Sequence, residues 1–255
     1  MPSARNSRDS RRRALDEARQ AQARRKRRLR FAAWGGAAVV LAGGGLGLGL
    51  GLSGSDSTAG SPAGAPLSTL GSLLAAPAPG ATGPENVPIP AASALAATSP
   101  ATAGQAIDGI GCNTSEQTLF HIHTHLTIFV NGQQRQVPAG IGIPGAAATQ
   151  TPQGPFIDSG TCFYWLHTHA ADGIIHIESP VKRTYTLGEF FDEWGQPLSS
   201  SQAGPARGKV TVIVNGQVFK GNPREVPLGS HENLQLEVGS PLVAPETINW
   251  TGTGL

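Results

Sequence analysis

Methionine occurs once, at Met1, and cysteine only twice, at Cys112 and Cys162. The first scarcity excludes a methionine-rich copper(I) site, since thioether sulfur is a ligand that soft ion selects. Histidine is missing from the first 120 residues, so all seven imidazoles belong to the second half of the chain. Charge is missing from two long stretches. Residues 31–52 (FAAWGGAAVVLAGGGLGLGLGL) carry none, and residues 53–105 carry only Asp56 and Glu85. No cysteine stands just beyond the first stretch, which excludes a lipoprotein anchor, and no cleavage site marks it as a signal peptide.

An uncharged apolar run of 22 residues is long enough to cross a hydrocarbon layer as a helix. Arg24, Arg25, Lys26, Arg27, Arg28 and Arg30 stand directly before it. By the positive-inside rule they hold the N-terminus in the cytoplasm and send everything after Ser53 outside. Residues 1–30 contain 12 Lys/Arg against three acids, leaving 7 against 14 in the rest of the chain. A basic tail that abuts an apolar run is a topology signal, so no nucleic-acid partner is expected. The arginine pair Arg27–Arg28 matches a twin-arginine export signal poorly. The sequence thus predicts a basic cytoplasmic tail (1–30), a transmembrane helix (31–52) and a single-pass protein of the cell membrane.

Residues 53–105 are mostly Ala, Pro, Gly, Ser and Thr. Such a composition buries too little apolar surface to offset the entropy of ordering, which predicts a disordered linker. Residues 106–255 then form an extracytoplasmic domain whose short alternating runs and turn signals predict a mainly β (α+β) fold of antiparallel hairpins with one short helix. Two hairpins are marked by Asn131-Gly132 and Asn215-Gly216, each following an alternating apolar run. LTIFVNGQQRQVPAG and VTVIVNGQVFKGNPREVPLG repeat one hairpin design. The helix is announced by Thr186 with Glu189 three residues on, a capping box, and by Phe190, Phe191 and Trp194, whose expected role is core packing; Gly195 ends it. In an oxidising compartment Cys112 and Cys162 are expected to pair, closing a loop of about 50 residues and stabilising the domain by about 4 kcal/mol. Two thiolate ligands for a soft metal are the alternative.

Six of the seven histidines fall into two clusters. In His121-Ile-His123-Thr-His125 the strand period puts three imidazoles on one face and Ile122, Thr124 and Leu126 on the other. The second cluster contains His167, His169 and His176. A turn centred on Ala171 and Asp172 pairs residues whose numbers sum to 343, setting His167 opposite His176 and Glu178 opposite Trp165. Neutral imidazole suits zinc or copper, whereas magnesium and calcium prefer oxygen. His231 is expected to be an ordinary polar residue.

HIHTHLTIFVNG, VPAGIGI, LHTHAADGIIHIESP and YTLGEFFDEWGQPL together resemble blocks shared by a group of membrane-anchored prokaryotic proteins. The resemblance spans about residues 110–250. It implies an anchored, extracytoplasmic, His-rich domain and carries over no activity. Some members have an acidic residue after the second HTH, where this chain has Ala170.

These observations predict a membrane-anchored protein that binds copper or zinc outside the cytoplasm through His121, His123, His125, His167, His169 and His176. A metalloenzyme with Glu178 as general base is a second possibility. The HxH pair opens a cupin metal motif, but no carboxylate stands at cupin spacing after His169. A cell-surface module without metal is the third.

Overall fold

The computed structural model describes residues 64–98 and 104–255. The expected tail, membrane span and residues 53–63 and 99–103 of the expected linker lie outside the described residues. Among the described residues no helix is long and apolar enough to cross a membrane.

Eight strands form the main sheet: β1 (Ala65–Pro66), β2 (Phe120–Val130), β3 (Gln133–Arg135), β4 (Leu166–His167), β5 (Ile174–Ser179), β6 (Val210–Val214), β7 (Gln217–Val218) and β8 (Glu232–Val238). The order is β1-β7-β6-β8-β2-β5-β4, with β3 paired to β2. Both Asn-Gly turns form as expected. Asn131 and Gly132 (φ 50° and 75°) join β2 to β3, and Asn215 and Gly216 (49° and 78°) join β6 to β7. Positive φ at both central positions matches the twist of the flanking strands, which is why Asn-Gly is preferred there. The single parallel contact among the main strands, β8 on β2, aligns Leu234 with Leu126 and Leu236 with Ile128.

β2 changes partner along its length. Its first half pairs with β5, His123 opposite His176, and its last residues pair with β3. One face of this part of the sheet is the core: Leu126, Ile128, Leu166, Ile175 and Ile177 pack with Tyr185, Leu187, Phe190, Phe191 and Trp194. The last four belong to or flank helix α1 (Leu187–Glu193), which has the capping box formed by Thr186 and Glu189. The expected disulfide is present, with Cα atoms of Cys112 and Cys162 5.5 Å apart.

Residues 64–98 correct the linker boundary. Composition assigned them to a structureless segment, yet they run along the domain. β1 pairs with β7, Leu74 bridges to Val243, and Leu95 and Gln136 share backbone hydrogen bonds with the opposing segments. Trp194 Nε1 donates to the Ala97 carbonyl at 2.9 Å. Backbone pairing and contacts with the folded domain supply what side-chain burial within the segment could not.

Candidate metal centre

Histidine and carboxylate side chains occupy the face of β2, β5 and β4 opposite the core. The register brings His123, His176 and His167 into one row across the three strands. Ring centroids are 4.6 Å apart for His123 and His176 and 5.4 Å for His176 and His167. In the next row His121 opposes Glu178, whose N–H donates to the Trp165 carbonyl at 2.8 Å. The two sequence clusters therefore meet on one face, and the pairing of residues summing to 343 holds at Leu166–Ile177 and His167–His176. The tight turn does not form: β4 stops at His167, and residues 168–173 make a longer loop before β5. His169 sits in that loop and reaches back to His167.

The VPAGIGI segment holds this corner. Gly140 N–H donates to the Thr168 carbonyl, Thr168 N–H to the Ile141 carbonyl and Tyr164 N–H to the Gly142 carbonyl. Gly142 has φ 70°, and a Cβ there would collide with the Leu166 carbonyl. Only glycine allows the strap to lie this close to β4.

His167 and His169 are oriented by their backbone partners. His167 Nδ1 lies 2.8 Å from the Tyr164 carbonyl, and His169 Nδ1 bonds the Ile157 carbonyl. A carbonyl only accepts, so each Nδ1 carries the hydrogen and each neutral ring is left with a bare lone pair at Nε2. Those two Nε2 atoms stand 3.2 Å apart. His121 and His123 approach at Nε2 in the same way, 3.0 Å apart. Metal–nitrogen bonds of 2.0–2.1 Å in tetrahedral geometry imply a ligand edge of about 3.3 Å, close to both separations.

Burial fixes the charge states. It lowers His167 well below the ordinary imidazole value, with neighbouring His169 and His176 adding to the effect. Burial and His176 lower His169, and burial with His176 and His121 pushes His123 down to about 3. Neutral imidazole is the ligating form. His176 goes the other way. Burial opposes its charge, but the neighbouring carboxylates of Glu178 and Glu85 outweigh that and raise it to about 9. Burial would raise Glu178, yet the imidazoles of His121 and His176 beside it hold it well below the usual carboxylate range. His176 Nε2 is 2.7 Å from Glu85 Oε1, and His121 Nε2 is 3.0 Å from Glu178 Oε1.

Glu85 and Glu116 were not expected here. Glu85 is 6% exposed and rides on a tight turn in which Gly83 N–H donates to Val87 O and Ile89 N–H to Ala81 O. Its signal was its isolation, one carboxylate in a stretch almost without charge. Glu116 stands at the half-exposed mouth, 3.6 Å from His169 Nε2.

His125 departs from the expected set. Among the described residues, the groups whose ligand atoms lie within 4.8 Å of one another are His121, His123, His176 and Glu178; His167, His169 and His176; and Glu116, His167 and Glu178. His125 belongs to none of them. Its Nε2 donates to the Asp172 carbonyl at 2.9 Å, and its ring borders a separate cavity of about 290 Å³ lined also by Asp172 and Gly173. The 168–173 loop captures the ring that strand periodicity alone would have aimed at the cluster. His231 stacks on Trp250 with centroids 4.8 Å apart and belongs to none of these groups, although its backbone N–H donates to the His123 carbonyl at 2.8 Å.

No family model matches the chain, and no curated protein or solved structure matches it either.

Proposed function

We propose that the chain is a membrane-anchored extracytoplasmic protein that captures a transition metal, copper or zinc, through His167, His169, His176, His121 and His123. The observation that carries this reading is the pair of Nε2 lone pairs on His167 and His169, 3.2 Å apart with both Nδ1 hydrogens committed to backbone carbonyls. Two lone pairs facing each other without a hydrogen between them repel, and a cation between them removes the repulsion. Backbone carbonyls that fix the opposite nitrogen are the usual support for metal-ligating imidazole. His125 is left out of the ligand set.

The enzyme alternative is less well supported. A carboxylate held far below its ordinary range is a weak proton acceptor, so Glu178 suits a ligand better than a general base.

The test is the variant His167→Ala/His169→Ala of the full-length chain in detergent. We expect Zn(II) and Cu(II) affinity to fall by about three orders of magnitude or more, about 4 kcal/mol, with circular dichroism unchanged. Wild-type affinity in a folded double variant would discard the reading.

A further inference from the structure

The cluster contains more donors than one ion takes. Four ligands complete a tetrahedral centre. Yet five histidines and Glu178 contribute to the two His-rich groups, His121, His123, His176 and Glu178 in one, His167, His169 and His176 in the other. His176 belongs to both. Its ring lies against each side, with centroids 4.6 Å from His123 and 4.5 Å from His169, perpendicular to both within a few degrees (87° and 85°).

Its two nitrogens face different surroundings. Nδ1 is 3.6 Å from Glu178 Oε1 and is buried without a hydrogen-bond partner. Nε2 is 2.7 Å from Glu85 Oε1. The lone pairs of an imidazole ring diverge, so one ring can serve two ions but cannot aim both nitrogens at one.

We propose that the site, read as a metal centre above, is binuclear, with His176 bridging two transition-metal ions. One ion is bound by His176 Nδ1 with His121, His123 and Glu178, and the other by His176 Nε2 with His167 and His169. Glu116, 3.6 Å from His169 Nε2, is the carboxylate at hand for the second ion's remaining position. The bridge forms with both ring hydrogens of His176 released to solvent, and Glu85 gives up its hydrogen bond to Nε2. The proposal rests on the metal reading, and stoichiometry separates the two.

The experiment is titration of the full-length chain in detergent with Cu(II), measuring bound copper by equilibrium dialysis and unpaired spins by integrated electron paramagnetic resonance. Two bound ions per chain are expected, with the spin signal at saturation less than half of the bound copper because the bridged spins couple. His176→Gln should restore a spin count equal to the copper that remains bound. His121→Ala/His123→Ala should bind one ion with full signal. A wild-type chain that saturates at one ion, or binds two with an undiminished signal, overturns the bridge while leaving the metal reading intact. A chain that binds none overturns both. The wild-type measurements decide the matter even where a variant fails to fold.

Discussion

The two faces of β2, β5 and β4 are made from the same three strands and do opposite things. On one, Leu126, Ile128, Leu166, Ile175 and Ile177 close against α1 and its flanks. On the other, residues alternating with them along the chain bring His121, His123, His167, His176 and Glu178 together, most of them as deeply buried as the core. Apolar burial stabilises the fold at about 25 cal/mol per Å². Burial of imidazole and carboxylate costs free energy unless each polar atom is satisfied. Glu85 Oε2, His176 Nδ1 and Glu178 Oε2 are buried without hydrogen-bond partners on the second face. The difference teaches that the first face holds the domain together, while the second offsets part of that stability by burying imidazoles and carboxylates in one closely spaced cluster.

The largest way to break this contrast is to damage the core face alone. Phe190→Ala should lower unfolding free energy by about 3–5 kcal/mol in denaturant titration, while the folded fraction keeps its metal affinity. Loss of affinity in the molecules that remain folded would show that the faces are not separable.

A smaller effect sharpens the polar face. In the metal-free chain, nuclear magnetic resonance should show His176 titrating near 9, with His123 neutral down to about 3 and His125, lowered by burial, down to about 4. Because the folded value of His176 lies above the unfolded 6.5, its contribution to stability is fully present below 6.5 and is lost as pH rises through about 9, at about 1.4 kcal/mol per pH unit. The stability difference between wild type and His176→Gln should therefore shrink across that window. Metal affinity moves oppositely, rising with pH up to about 9 as the competing proton leaves. A His176 resonance that titrates below 6.5 would contradict the placement of its ring between Glu85 and Glu178.

Local chemistry made much of this legible. Asn-Gly turns, the capping box at Thr186 and the cross-strand pairing of His167 with His176 are each written within a dozen residues, and each appears where expected. Long-range approach was not legible. The parallel seating of β8 on β2 joins segments more than a hundred residues apart, and Glu85 reaches His176 from 91 residues away. The low-charge segment that carries Glu85 has no alternation of its own to reveal that it pairs with the domain. His125 shows the limit of strand periodicity. Alternation gives its face correctly, but Asp172 decides its partner.

The most direct test of the central claim is the metal content of the full-length chain, purified in detergent without an affinity tag or chelator and measured by elemental analysis. The account predicts at least one equivalent of copper or zinc per chain. Protein that carries neither, and takes up neither when they are supplied at neutral pH, would contradict it and leave a cell-surface module whose buried imidazoles serve another end.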